Sequence, residues 1–378
     1  VTHSYIPLSE PNLGELEADH VNRALASGFV SSVGEAVSTF EARFAEIVGS
    51  RHAVACSSGT AALHVALRIV GVEPGSEVLC SDFTFAGSGN PIAYQSATPV
   101  YIDSEWSTWN IDPGLVVEEL ERRARVGERM PAAVEVVHVL GQPARLEEIV
   151  EVCDRYGVPI VEDAAESLGA RWSEGRYAGK HTGSVGQIGC FSFNGNKIAT
   201  TGGGGMIVTD DPGLAERARH LTTQAKVPAV GYLHDEVGYN YRLTNLAAAL
   251  GNAQLERLPE FVKAKHRIAE EYDRAFEALP IVRPPRIPGL ESTYWLYSVL
   301  MADEAERDEL LAHLEARFIG ARALWRPLHA QPAFAGSRVV GGAVGRSLFA
   351  RGVSLPSSTH LTAEAQARVT SAVLDFYS

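Results

Sequence analysis

The stretch Cys190-Phe-Ser-Phe-Asn-Gly-Asn-Lys-Ile-Ala-Thr-Thr-Gly-Gly-Gly-Gly-Met206 sets one lysine between a hydrophobic run and four consecutive glycines. Lys197 is one of only five lysines among 33 basic residues, and it alone stands where the backbone must turn tightly around something. An amine withdrawn from water at such a turn loses its proton readily and becomes a nucleophile toward carbonyl carbon, as Schiff-base chemistry requires. The flanking runs 189–193 and 205–209 read as adjacent strands, which places the lysine at a strand end, where open α/β sheets bind ligands. Phe191 and Phe193 before it and Met206-Ile-Val after it argue against a solvated glycine loop.

Outward from this turn, short apolar runs at 53–56, 78–80, 100–102, 134–140 and 159–161 alternate with helical patterns at 60–70, 88–95, 116–124 and 146–156. That is the rhythm of a parallel sheet covered by helices. Segment 245–277 is helical in pattern, interrupted by Pro259, and reads as a link between two domains. After Pro280 come a proline-rich crossing at 282–289, a strand-like run at 293–301, a helix at 305–316, a loop at 326–342 and a terminal helix at 363–377. A single core seldom grows beyond roughly 250–300 residues. The 378 residues are therefore expected to divide into an α/β large domain over 1–250 and a smaller α+β domain over 251–378.

A formal net charge of -13 argues against a general nucleic-acid binder, which needs a basic face to displace phosphate counterions. Cys56, Cys80, Cys153 and Cys190 lie singly in or beside apolar stretches, so reduced core thiols are expected and no metal site. The first residues lack the basic start and apolar run of a signal peptide, and no apolar run reaches membrane-spanning length. The expected setting is the cytoplasm, without membrane contact.

Two further constellations carry chemistry. In Ala55-Cys-Ser-Ser-Gly-Thr60 a strand ends in Ser57, Ser58 and Gly59 and feeds directly into a helix. Free N–H groups there, with the Thr60 hydroxyl, form a phosphate cradle; a plain serine cap is the alternative. In Val158-Pro-Ile-Val-Glu-Asp163 an apolar strand ends in acid. Asp163 could hold a heteroaromatic nitrogen protonated, or simply cap the next helix. Ser192, five residues before Lys197, could offer its hydroxyl to the same phosphate.

Cradle, acid and lysine follow one another in the order that pyridoxal phosphate requires. From Tyr5-Ile-Pro-Leu-Ser9 to Trp325-Arg-Pro-Leu-His329 the chain resembles the pyridoxal-phosphate-dependent sugar aminotransferases of the DegT/DnrJ/EryC1/StrS family, within the aspartate-aminotransferase fold. The resemblance implies a large domain with a central mixed, mostly parallel sheet. It implies that Lys197 bonds the cofactor and shuttles the proton and that Asp163 pairs with the pyridine nitrogen. Ser58, Gly59, Thr60 and Ser192 would hold the phosphate, and Phe85, in Ser81-Asp-Phe-Thr-Phe-Ala86, would pack on the ring. Glu166 would lie beside the cofactor, where relatives often carry His or Gln. Gly238-Tyr-Asn-Tyr-Arg-Leu-Thr-Asn245 resembles a segment that enters the neighbouring subunit's site, with Asn240 on the phosphate and Arg242 on an anionic substrate group. A homodimer with shared active sites is implied.

The segment Ala26-Ser-Gly-Phe-Val-Ser-Ser-Val-Gly34, the Asn-Gly-Asn-Lys turn and the glycine run resemble a narrower group. Its members aminate C4 of nucleotide-linked 4-keto-6-deoxy sugars in the bacillosamine and legionaminic acid routes. This implies L-glutamate as donor and UDP-4-keto-6-deoxy-N-acetylglucosamine as acceptor, with Phe29, Ser31 and His329 as sugar contacts. For His329 a core or surface histidine is the alternative. GDP-perosamine-type and dTDP-sugar enzymes acting at C3 or C4 are rival readings. Lys197 opposes a dehydratase branch that carries His at this position. Lys197, Asp163 and Ser192 together oppose a catalytically silent regulator that only binds the cofactor or a nucleotide sugar.

Overall fold

A computed structural model describes residues 4–228 and 231–378, so the first three residues of the stretch read for a leader lie outside the described residues. Eight strands form one sheet in the order His52–Cys56, Gly205–Thr209, Ile188–Ser192, Ile160–Asp163, Ala133–Val137, Glu77–Ser81, Thr98–Ile102 and Arg338–Val340. From Ile188–Ser192 to Arg338–Val340 every neighbour is parallel; Gly205–Thr209 alone runs antiparallel to both of its partners. This is the mixed, mostly parallel sheet that the resemblance implied. The strands read as nearly continuous apolar runs because helices cover both faces. On one face Cys56, Val78, Cys80, Val161 and Cys190 pack against helix Gly59–Ile69. On the other, Val100, Val134 and Val136 meet Val116, Leu120, Ile149 and Val152 of helices Pro113–Val126 and Glu147–Tyr156. The four cysteines are free and buried, and burial pushes the Cys56 and Cys153 thiols up to about 12, as befits packing residues.

Register brings the chemistry to one edge. Cys56 and Ser192 both face Gly205, while Asp163 faces Cys190 and Val137. The segments following Cys56, Ser81, Asp163 and Ser192 therefore leave the sheet on the same side.

A second layer holds the antiparallel strands Tyr297–Leu300, Gly352–Leu355 and Arg322–Ala323. Its core joins Tyr297, Val299, Val353 and Leu355 to Leu310, Leu314, Val369 and the far half of helix Asn245–Ala275, including Ile268 and Tyr272.

Two features differ from expectation. Helix Asn245–Ala275 runs unbroken through Pro259, so the expected division at 250/251 falls inside it. An interior proline costs about 3 kcal/mol. Buried residues on both sides of it, from Ala248 to Leu258 and from Phe261 to Tyr272, hold the helix together. The expected loop at 326–342 contains Arg338–Val340, which returns to the large sheet parallel to Thr98–Ile102. Arg338 secures it with a bidentate pair to Glu119 at 2.7 and 2.6 Å.

Candidate active site

A cavity of about 300 Å³ opens at the shared edge, and Ser58, Gly59, Thr60, Phe85, Asp163, Glu166, Ser192 and Lys197 all line it. Four segments remote in sequence thus meet at one place.

The helix start is built as an anion cradle. Ser58 is the cap, its hydroxyl accepting from the Ala61 N–H at 3.0 Å. The two N–H groups before it, on Gly59 and Thr60, have no carbonyl within the helix to bond and sit at its positive end. The Ser58 side chain caps the helix, and its position brings the free N–H groups to the cavity. Close approach is what needs glycine here. A Cβ on Gly59 would stand 2.8 Å from Ser192 Cβ, and one on Gly205 would stand 2.3 Å from Ser58 O.

Strand alternation decides between the two acids at 162 and 163. Glu162 faces away from the cavity and accepts from the N–H groups of Gly183, Val185 and Gly186, with His138 Nε2 at 2.8 Å. Asp163 faces the cavity, where Ser88 Oγ donates to it at 2.8 Å and the Ala165 N–H at 3.0 Å. Burial pushes the Asp163 carboxyl above its ordinary range, and these donors and Lys197 work against that rise.

The lysine turn is closed by backbone bonds from Phe193 N–H to Gly204 O and from Thr201 N–H to Phe193 O, with Gly202 at φ 80°. The Lys197 amine lies 3.6 Å from Glu166 Oε1 and 3.8 Å from the centre of the Trp295 ring. Glu166 is aimed by its other oxygen, which accepts the Leu140 N–H at 2.8 Å. Burial draws the amine's pKa down, while Glu166 and Asp163 pull it up.

Trp295, Arg322, Trp325 and Ser88 also line the cavity and were not singled out as site residues from the sequence. The two indoles stack at 6.2 Å and 15°. Trp325 begins the quoted Trp-Arg-Pro-Leu-His motif, but nothing local to Trp295 or Arg322 points to the site.

Other expected residues lie elsewhere. Phe29 lines a separate groove of about 1060 Å³ beside the N-terminal helices, and the Ser31 carbonyl accepts the Asn245 N–H at 2.5 Å. Asn240 is exposed and bridges to Thr223. Arg242 and His329 are held by partners distant in sequence. The Arg242 guanidinium pairs with Glu41 within its own chain. His329 is clamped, Nδ1 at 2.5 Å from Asp82 and Nε2 accepting from Arg346 Nε at 3.1 Å, so it fixes its loop and does not line the cavity.

The profile of the DegT/DnrJ/EryC1/StrS aminotransferase family matches residues 11–374. The chain belongs to this family. It is 43% identical over 380 residues to a Bacillus subtilis (strain 168) protein named as the pyridoxal phosphate-dependent aminotransferase EpsN, spanning 99% of this chain and 96% of that one. It is 36% identical over 374 residues to GDP-perosamine synthase of Escherichia coli O157:H7, spanning 99% of each. Among solved structures, the aminotransferase TlmJ from Streptoalloteichus hindustanus matches with a TM-score of 0.89 at 31% identity over 98% of each chain. The DegT/DnrJ/EryC1/StrS enzymes are sugar aminotransferases that use pyridoxal phosphate, and this chain is one of them.

The site fits that cofactor. Free N–H groups and the Thr60 and Ser192 hydroxyls suit a phosphate, a buried carboxylate suits a pyridinium, and a half-buried amine suits an aldehyde. Gly59→Ala should weaken pyridoxal phosphate binding at least about tenfold, although alanine is the better helix former by about 1 kcal/mol. Spectroscopic titration of the cofactor-free protein measures it, and an unchanged affinity would remove Gly59 from the cradle.

Proposed function

We propose that the enzyme transfers the amino group of L-glutamate to C4 of a nucleotide-linked 4-keto-6-deoxy sugar in bacterial surface-glycan synthesis, with UDP-4-keto-6-deoxy-N-acetylglucosamine as the preferred acceptor. The observation that carries the reaction type is the meeting of Lys197, Asp163 and an anion cradle in one cavity. Similarity to a perosamine synthase supports a sugar acceptor.

Bound pyridoxal phosphate supplies a carbonyl that amines attack and a ring that accepts electron density from the neighbouring carbon. The protein supplies the rest. Lys197, its amine pKa lowered by burial, takes a proton from the donor's α-carbon and returns one to the acceptor carbon. Glu166 and the Trp295 face hold that amine in place. Asp163 keeps a proton on the ring nitrogen. Ser58, Gly59, Thr60 and Ser192 would anchor the phosphate end, and Phe85, which lines the same cavity, would pack on the ring. Arg322 lines the same cavity and pairs with no described carboxylate, which makes it the cation for the donor's carboxylate. Arg322→Ala should raise KM for L-glutamate about tenfold or more while kcat changes less. Steady-state kinetics with glutamate varied at saturating ketosugar measure the split, and an unchanged KM would release Arg322 from this role.

A homodimer with shared sites is part of this proposal. Tyr232 and Val237 are each 84% exposed, apolar surface that a second copy would cover. Asn240 and the Phe29–Ser31 loop would then act across that interface. No described helix is long and apolar enough to cross a membrane, and the cytoplasm is the proposed location.

A GDP-linked acceptor is the second reading, favoured by the 36% identity to GDP-perosamine synthase. A panel of UDP-, GDP- and dTDP-linked 4-keto sugars, read by the mass of the amino product, tests the assignment. The UDP sugar should lead in kcat/KM by at least about tenfold, the scale of one or two well-made nucleotide contacts. Preference for GDP would move the enzyme to the second reading. Loss of the visible cofactor band with glutamate, yet no product from any sugar, would overturn the acceptor class.

A further inference from the structure

Helix Asn245–Ala275 carries a second lysine out of water. Lys265 is 2% exposed, and burial alone accounts for an amine pKa drawn down to about 7, with no facing charge contributing. Its Nζ donates to two backbone carbonyls, Trp295 O at 2.7 Å and Ser357 O. These flank the paired strands of the small sheet, since Trp295 leads into Tyr297–Leu300 and Ser357 follows Gly352–Leu355. An uncharged amine has two N–H bonds, one for each carbonyl. An apolar side chain of the same length would leave both carbonyls buried and unpaired.

What this contact secures is Trp295. The Trp295 ring lies 3.8 Å from the Lys197 amine, and its indole N–H donates to Asn196 O at 2.7 Å, one residue before that lysine. Its backbone N–H donates to Leu140 O at 3.0 Å. Leu140 sits at φ 56°, a left-handed conformation that a bulky residue keeps only where its surroundings enforce it. In that conformation its own N–H meets Glu166 at 2.8 Å, and Glu166 is the carboxylate beside Lys197. One tryptophan thus touches the lysine directly, touches the turn that carries it, and steers its carboxylate through Leu140.

We propose that Lys265 is a positioning residue for the active-site amine: by anchoring the main chain of Trp295 to the long helix, it fixes the indole wall and the Leu140–Glu166 contact around Lys197 without entering the cavity. The proposal rests on Lys197 as the reacting group. The charged groups facing Lys197 are Glu166, Asp163 and Arg322, and of the residues that touch Lys197 only Trp295 is bonded to Lys265, whose other described partner is Ser357 O.

The test reads Lys197 itself in the cofactor-free protein. Competitive acetylation as a function of pH, followed by mass spectrometry, gives the amine's titration midpoint and its limiting reactivity, with exposed Lys263 as internal standard. Lys265→Met should admit water beside Trp295, raising the Lys197 midpoint by at least half a unit and its limiting reactivity at least threefold. Lys265→Gln keeps two N–H donors on a shorter arm and should give a smaller shift of the same sign; it also serves if the methionine variant does not fold. In a Trp295→Leu background neither substitution should shift Lys197 further. Unchanged titration in either folded variant, or a full additional shift in the Trp295→Leu background, overturns the proposal. Failure of the underlying reading is distinguishable, because it would appear as retained amino transfer in Lys197→Ala.

Discussion

Lys197→Ala should abolish amino transfer, lowering glutamate-dependent turnover by about 10⁴-fold or more, because one side chain supplies both the covalent contact and the moving proton. Nothing else described in the cavity replaces it: Asp163 and Glu166 are acids, and the Arg322 guanidinium offers only N–H donors. The fold should survive, because the turn is closed by main-chain bonds from Phe193 and Thr201 rather than by the lysine side chain. Glu166 keeps its bond from Leu140. The mass of the amino sugar formed over a long incubation is the measurement, with folding checked by thermal melting. Appreciable amination by the variant would refute the assignment.

Asp163→Asn should cost about 10²–10⁴-fold in turnover, the range of a preorganised electrostatic group acting where charge develops. The substitution is nearly isosteric and its neighbours accommodate it. The amide oxygen still accepts from Ala165, and the Ser88 hydroxyl can turn to accept from the amide and donate to Thr84, 2.9 Å away. What goes is the charge that holds a proton on the ring nitrogen. Cofactor affinity should therefore fall much less than turnover, a contrast that spectroscopic titration and steady-state rates read separately. Equal turnover would mean that Asp163 only shapes the cavity wall.

The parts of the site legible in the sequence are those written in local pattern. A strand followed at once by a glycine and a helix, an acid closing an apolar run, and a lysine before a glycine run each carry their geometry within a dozen residues. Alternation along the strand separates Asp163 from Glu162 in the same way. Trp295 and Arg322 had no such signal, because small-sheet packing brings them to the cavity from a segment about a hundred residues beyond Lys197. The pairings of Arg242 and His329 were not legible for a related reason. Their partners, Glu41 and Asp82, lie 201 and 247 residues away, and a lone polar side chain does not announce a distant carboxylate. Arg338–Val340 is three residues long, too short for periodicity, and exists because an edge of the large sheet was open to receive it.

That returning strand bears on how the protein can be cut and recombined. The chain leaves the large sheet, builds part of the small one, comes back to close the large sheet's edge, and departs again to place Gly352–Leu355 between two strands already laid down. The small layer is therefore stitched in by two seams. A break in the crossing at 282–289 that let the tail go would strip Thr98–Ile102 of its neighbour and leave a raw, aggregation-prone edge. Grafting a foreign C-terminal third to change acceptor preference would have to carry its own closing strand as well as its own counterparts of Trp295, Arg322 and Trp325. The inheritable unit of specificity in this fold is the whole chain.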